Sequence, residues 1–392
     1  MISRLLKTHL VFVAIALTAA LASAAAAQQA GSIAIGPYVQ NVSEDSATIC
    51  WATIDGEATY APAAGDAQTV RAYNHHSIWL RRLEPGTTYT YDVIGDGTDA
   101  GKGSFTTFPD GEHPFMFVAF GDTRSRHDVH RQIVERVIAE KPALVFNTGD
   151  LVSDGRDISH WEAFFEVSGH LMRSVPYYPA LGNHENDARH YFDFFALPGN
   201  ERYYSFNRGA VHFVVFDTAG LEIPETNQAV TEEQEKRFEQ YLRAYYERQL
   251  EWLRDDLAGH ADAKYVFAFF HHPLYSVRAS RVEGAKEVRE MFGSVFKDYN
   301  VSAVFTGHDH YYHRAVADGV QFVTTGGGGA PLYDTDAPQP ESVKYAKIEH
   351  YVRVDVGPDK VAARVVDING ETIDEFEVAP RPAPAEPSGG EE

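Results

Sequence analysis

Phe115-Met116-Phe117-Val118-Ala119-Phe120 runs directly into Gly121-Asp122-Thr123-Arg124. This stretch decides the fold, because the chain repeats its plan four more times. A short apolar run ends, and a side chain able to hold a metal or a phosphate follows within a residue or two. Leu144-Val145-Phe146-Asn147-Thr148 leads into Gly149-Asp150, and Tyr178-Pro179-Ala180-Leu181 into Gly182-Asn183-His184-Glu185. Phe267-Ala268-Phe269-Phe270 leads into His271-His272-Pro273, and Ala303-Val304-Phe305-Thr306 into Gly307-His308-Asp309-His310. Helical spacing marks 131–139, 158–171, 231–257 and 282–299, and short apolar runs at 175–180, 211–216 and 321–323 read as further strands. Strands alternating with helices predict a layered α/β domain with a buried sheet. Residues 351–354, 361–367 and 372–378 are expected to continue or flank it. Ligands of open α/β sheets bind beyond the carboxyl ends of the strands. The five polar ends are therefore expected to meet in one crevice. Glycine precedes the polar residues in four of the five and permits tight turns there.

Upstream, 33–109 has a different texture. Ala47-Thr48-Ile49-Cys50-Trp51 and 77–81 read as strands, Glu84-Pro85-Gly86 as a turn, and Thr87-Thr88-Tyr89-Thr90-Tyr91-Asp92-Val93 alternates like a half-buried strand. With Ser104-Phe105-Thr106-Thr107-Phe108 closing the series, the segment predicts an all-β sandwich. Its His75-His76 pair reads as surface. Cys50 is the chain's one cysteine, and a buried core position suits it better than a reactive one.

The first 27 residues read as an export signal. Arg4 and Lys7 precede an apolar run over 10–22, and Ala22-Ser23-Ala24-Ala25-Ala26-Ala27 supplies a small-residue exit. A membrane anchor is the rival reading, but a span needs about 20 apolar residues. The mature protein is expected in the periplasm or secreted, with no stable membrane span. The end of the chain, 379–392, is rich in Pro, Ala and Glu and reads as a disordered tail.

Across 392 residues, 34 basic side chains face 56 acidic ones, a formal charge of −22. The length predicts two or three domains. The charge argues against binding duplex nucleic acid or anionic lipid. A phosphorylated substrate would also be repelled at long range. A phosphate site here needs strong local positive charge, which bound metal ions supply.

Asp122, Asp150, Asn183, His271, His308 and His310 form a mixed oxygen and nitrogen set, suited to Zn, Mn or Fe. One carboxylate bridging two such ions yields a clamp for a phosphoryl group and an activated water. Taken singly, each motif has a duller reading. A Gly-Asp after a strand is commonly a turn, and a His-His-Pro is commonly structural. The joint pattern carries the metal reading.

In the order GDTR, GD, GNHE, HH and GHDH, the chain resembles the calcineurin-like metallophosphoesterases. With its β module it is similar to bacterial purple-acid-phosphatase-like proteins. Leu83-Glu84-Pro85-Gly86-Thr87-Thr88-Tyr89 is similar to the tyrosine-corner run of fibronectin type III modules. Gly36-Pro37-Tyr38-Val39-Gln40-Asn41-Val42 is similar to the start of the family's N-terminal module. Thr324-Thr325-Gly326-Gly327-Gly328-Gly329-Ala330-Pro331 is similar to its late glycine loop. The resemblance implies a fibronectin III-like domain over 33–109 and a catalytic domain over 113–378. It assigns Asp122 and His310 to a first metal, Asn183, His271 and His308 to a second, and Asp150 to both. It takes His271 rather than His272 as the ligand. His184 would assist the leaving group as metal-activated hydroxide attacks phosphorus in line.

Two positions depart from the family pattern. Arg124 stands where many members have a His ligand, and Ser153 stands where the purple enzymes have Tyr. Arg124 either binds a phosphate oxygen or pairs with a nearby carboxylate. Phosphomonoester hydrolysis is the first expectation and phosphodiester hydrolysis its rival, with selection assigned to loops at 221–230 and 326–336. A non-catalytic surface- or glycan-binding protein with a degenerate metal site is the reading of a different class.

Overall fold

In the computed structural model, which describes residues 13–14, 33–60, 68–95, 99–219 and 231–382, the apolar runs build two facing sheets. A six-stranded sheet has the order Thr372–Val378, Val361–Asp367, His350–Val356, Phe115–Phe120, Leu144–Asn147, Tyr177–Pro179. A seven-stranded sheet has the order Tyr204–Arg208, Val211–Val215, Tyr265–Phe269, Ala303–Thr306, Val320–Thr325, Tyr312–Ala317, Ser342–Ala346. Phe115–Phe120, Leu144–Asn147 and Tyr177–Pro179 pair parallel in the first. Val211–Val215, Tyr265–Phe269, Ala303–Thr306 and Val320–Thr325 pair parallel in the second. Parallel strands are covered on both faces, which explains their continuous apolar sequences.

Alternate side chains serve different layers. Between the sheets, Phe117 meets Phe213, Phe267 and Phe305 edge-on at 5.6, 5.2 and 6.1 Å, and Phe146 stacks on Phe269 at 3.8 Å. Each fully buried phenyl contributes about 2–3 kcal/mol. On the outer face of the seven-stranded sheet, Val214, Val266 and Val304 join Tyr246, Leu253, Phe292 and Phe296 from helices Glu232–Gly259 and Val282–Asp298. Helices His127–Glu140 and Ile158–Met172 belong with the other sheet, and His130 stacks near Phe164 and Phe120. None of the helices among the described residues is long and apolar enough to cross a membrane.

The N-terminal strands pair antiparallel. Ile33–Gln40, Ser46–Tyr60 and Gln68–Arg81 form one sheet, and Thr88–Gly95 forms a hairpin with Asp99–Thr106. Gln68–Arg81 is far longer than the 77–81 strand expected, because its polar alternation conceals it. Cys50 is buried as expected, and burial pushes its thiol up to about 12. Tyr89 accepts a hydrogen bond at its hydroxyl from the Glu84 amide at 2.8 Å, as a tyrosine corner does. The surface reading of His75-His76 is corrected. His75 packs edge-on against Phe194 at 4.6 Å. His76 stacks on Trp51 at 5.1 Å and bonds Thr53 Oγ1 at 2.8 Å. Tyr38 and Tyr91 also reach across, donating to Phe194 O and Arg173 O at 2.6 and 2.8 Å.

The leader over 1–27, apart from Val13–Ala14, the loop at 221–230 and the tail beyond 382 lie outside the described residues. Within the expected tail, Arg381 still donates to His260 O at 2.7 Å and Tyr299 O at 3.1 Å.

Candidate metal centre

The crevice forms where both sheets present the carboxyl ends of their parallel strands. Asp122, Asp150 and Asn183 follow Phe115–Phe120, Leu144–Asn147 and Tyr177–Pro179 of the six-stranded sheet. His271, His308 and His310 follow Tyr265–Phe269 and Ala303–Thr306 of the other. All the oxygen donors thus come from one sheet and all the imidazoles from its partner. Asp122, Asp150 and His308 have φ of 56°, 57° and 66°, the left-handed region that non-glycine residues rarely occupy. Such backbone, at three of six chosen positions, is typical of sites where geometry is imposed by function. Gly182 belongs to the same constraint, because a Cβ there would overlap the Asp150 amide and carboxylate.

Four donor atoms nearly touch. His271 Nε2 lies 2.9 Å from Asn183 Oδ1 and 3.3 Å from Asp150 Oδ1. His308 Nδ1 lies 3.2 Å from both Asn183 Oδ1 and His271 Nε2. Ligands at about 2.0–2.1 Å from a tetrahedral ion are separated by about 3.3–3.4 Å. These spacings fit a small transition-metal ion. A second group, Asp122, Asp150 and His310, keeps its donor atoms within 4.8 Å of one another, with His310 Nε2 3.4 Å from Asp122 Oδ1. Asp150 belongs to both groups, which is what a bridging carboxylate requires.

Ring orientation is fixed from outside. His271 Nδ1 lies 2.8 Å from Thr148 O, and His310 Nδ1 lies 2.8 Å from Pro331 O. Each carbonyl accepts a hydrogen bond from Nδ1–H, which leaves the Nε2 lone pair facing the crevice. His308 is turned the other way, with Nδ1 inward. The structure brings His271, not His272, to Asn183 and Asp150; His272 Nδ1 is 3.0 Å from Thr218 Oγ1.

Charges in the crevice are balanced. Burial pushes the Asp150 carboxyl up, but His271, His184 and Arg124 outweigh it and hold it below the usual carboxylate range. Burial pulls His271 down, and Asp150 and Asp122 more than restore it, so it ends above its ordinary value. His308 is held well below by burial and by the neighbouring His272, His271 and Arg281. It stays neutral, the state needed to donate a lone pair.

His184 and Arg124 flank the cluster. His184 Nδ1 lies 2.8 Å from Ser153 O, and its Nε2 is 3.8 Å from Asp150 Oδ2. Arg124 Nε is 3.3 Å from Asp150 Oδ2, so its carboxylate partner is the shared residue itself.

Glu185, the residue after His184, turns away from solvent. It is fully buried and accepts from the amides of Gly182 at 2.7 Å, Asp150 at 2.9 Å, Leu151 at 2.9 Å and Val152 at 3.4 Å. Burial and the Asp150 charge push its carboxyl up to about 7 against the pull of those amides. Asp217 is likewise structural, tied to Arg202 Nη1 at 3.3 Å and Tyr245 OH at 2.8 Å.

Three residues near the site were not singled out by the sequence reading. Arg278, Arg281 and Tyr333 border a cavity of about 530 Å³ that also touches His308. Tyr333 lies in the 326–336 loop expected to line the cleft, whereas the two arginines carry no periodic signal.

The family model described as calcineurin-like phosphoesterase matches residues 115–312, half of the chain. An uncharacterized protein of Mycobacterium tuberculosis is 26% identical over 289 residues, covering 64% of this chain and 52% of that one. A phosphoenolpyruvate phosphatase of Allium cepa is 25% identical over 297 residues, covering 68% and 56%. The chain thus spans about half the length of these curated relatives. The solved purple acid phosphatase PPD1 from Lupinus luteus seeds shares the fold, with a TM-score of 0.67 at 18% identity. That match covers 88% of this chain and 74% of the lupin chain.

Proposed function

The chain belongs to the calcineurin-like phosphoesterases, and from that premise we propose that it is an exported phosphatase of small phosphate monoesters acting through a dinuclear metal centre. Asp122, Asp150 and His310 hold one ion, and Asp150, Asn183, His271 and His308 hold the other. Fe, Zn and Mn all suit this donor set. The carrying observation is the group of four donor atoms on Asp150, Asn183, His271 and His308 at near-tetrahedral spacing, with the His271 tautomer fixed by the Thr148 carbonyl.

When bound, the ions neutralise phosphate charge and supply a water of lowered pKa. The protein's own groups do the rest. Asp150, buried between the two donor groups, sets their separation. The Ser153 carbonyl accepts a hydrogen bond from His184 Nδ1–H and so fixes the ring, and in the imidazolium form its Nε2–H supplies the proton passed to a departing alkoxide. Arg124 stands beside Asp150 Oδ2, with Nη1 3.4 Å from Ser125 Oγ, and its guanidinium is placed to meet a phosphate oxygen at the cluster. Export rests on the leader sequence. The division into a fibronectin III-like module over 33–109 and a catalytic domain over 113–378 rests on the change of texture between them.

Diester hydrolysis is the second reading, favoured by the cavity beside His308, which has room for another ester substituent. A pure binding role is disfavoured by His184, since a scaffold has no use for a proton donor facing its metal pair. The test is metal analysis of the purified protein with parallel turnover of one chromogenic alcohol's monoester and diester. Two ions per chain and a faster monoester are expected. One ion or none, or two ions with neither ester hydrolysed, would overturn the proposal.

A further inference from the structure

The two donor groups of the centre are unequally furnished. Asp122, Asp150 and His310 offer three side chains, while Asp150, Asn183, His271 and His308 offer four. A group with fewer donors depends more on what holds those donors in place. Asp122 and His310 belong to the first group alone, and one segment, residues 326–333, fastens both.

The segment leaves the end of strand Val320–Thr325 and passes beneath Asp122. Its glycines lie where a side chain would not fit. A Cβ on Gly326 would come within 2.8 Å of Asp122 Oδ2 and 2.3 Å of Asp309 O, and one on Gly328 within 2.3 Å of Gly121 O. Without those atoms, backbone meets backbone directly. Gly328 N–H donates to Gly121 O at 2.9 Å, and Ala330 N–H donates to Asp122 O at 2.7 Å. Arg126 holds the segment from elsewhere, donating to Gly329 O at 2.9 Å and to Ala330 O at 2.7 Å.

The same segment then closes on His310. Pro331 O lies 2.8 Å from His310 Nδ1, and Tyr333 N–H donates to His310 O at 3.0 Å. The Tyr333 ring stacks on the imidazole at 4.0 Å, with the planes 21° apart. Arg278 lies 3.9 Å over that tyrosine ring and keeps it in place. Rotation of the imidazole is thus opposed at its edge by a carbonyl and at its face by a ring. The second group has separate supports. Thr148 O holds His271 at 2.8 Å, and Glu185 joins the turn carrying Asn183 to the Asp150 amide.

We propose that Tyr333 is a positioning residue for the first ion alone, acting through His310. Residues 326–333 set the affinity of that ion, and the second ion depends on other parts of the chain. This rests on the dinuclear reading of the centre.

Zinc binding by the full chain tests it, followed by competition with a chromogenic chelator in wild type, Tyr333→Ala, Tyr333→Phe and Asp122→Asn. Asp122→Asn marks which ion is the first, since that carboxylate belongs to the first group alone. Tyr333→Ala should weaken the same ion by about 10- to 100-fold and leave the other within about 3-fold of wild type, as when the support of one ligand is lost. Tyr333→Phe keeps the ring and the backbone contacts and should restore wild-type affinity for both ions. Equal weakening of both ions by Tyr333→Ala, or of neither, would overturn the proposal, as would a Tyr333→Phe variant as weak as Tyr333→Ala. A crystal structure of metal-free Tyr333→Ala gives a reading that needs no ion. The His310 ring should turn away from Pro331 O, and a ring that stays in place would overturn the clamp. If the wild type takes up fewer than two ions, the dinuclear reading fails, while the metal-free structure still decides whether Tyr333 holds His310.

Discussion

Glu185→Gln is the most searching perturbation of the centre's framework. The substitution keeps shape and volume in a fully buried position. In the wild type, Oε2 accepts from Gly182 and Asp150 at 2.7 and 2.9 Å, and Oε1 from Leu151 and Val152 at 2.9 and 3.4 Å. A primary amide has one acceptor oxygen, so its NH₂ must face one of these amide pairs. At pH 8 and above, where the carboxyl is ionised, two bonds to a charged acceptor are lost, each contributing about 1.5–3 kcal/mol. Removing a buried charge offsets part of this, leaving a net destabilisation of about 2–4 kcal/mol. For a unit this large, the midpoint of thermal unfolding should fall by roughly 4–10 °C. These bonds also hold the turn carrying Asp150 against the turn carrying Asn183. Metal affinity, measured by chelator competition, should therefore drop about 10- to 100-fold, as when a supporting shell is disturbed. A variant that melts within a degree of wild type and keeps its metal affinity would refute the claim that this carboxylate stitches the two loops.

Arg124→Ala should raise KM for phosphate monoesters about 10-fold or more if its guanidinium meets a phosphate oxygen; unchanged turnover and affinity leave it only the pairing with Asp150. The iron-loaded protein should lack a purple charge-transfer band, since Ser153 offers no phenolate, and a visible band of that kind would contradict this. Acid should weaken the metal-free fold through His130. Burial pushes its imidazole down to about 3. The unfolded chain binds this proton near 6.5 and the folded chain does not until far lower. Stability is thus lost as pH falls through that window, by at most about 1.4 kcal/mol per unit and about 2 kcal/mol at pH 5. His130→Leu should show a shallower decline of unfolding midpoint between pH 7 and 5, and a slope equal to wild type would count against burial as the cause.

The convergence of the candidate ligands was legible because each chosen residue closely follows an apolar run, and a strand end fixes where such a residue must lie. The partition of those runs between two sheets was not legible, since a run such as Val211-His212-Phe213-Val214-Val215 reads alike in either sheet. Edge strands were missed for a related reason. Ser342–Ala346 exposes Val343 and alternates too weakly to stand out. His75 was misread and Glu185 was given no role because burial depends on what distant segments bring to a position. Glu185 is covered by the 150–152 turn, and His75 by Phe194 from more than a hundred residues downstream. Arg278 and Arg281 sit in an irregular stretch before helix Val282–Asp298, where no period separates a cleft arginine from a solvated one.

Since oxygen donors and imidazoles come from opposite sheets, the proposed ions are rivets rather than nuclei. A chain that has formed only one sheet holds only part of each coordination set and gains little from metal. The gain arrives at the last step, when the sheets dock, and reaches about 4 kcal/mol for an ion present at a thousand times its dissociation constant. Stabilisation that appears only after the folding barrier slows opening without hastening closure. Metal should therefore lengthen the life of the folded protein far more than it shortens the time taken to reach it.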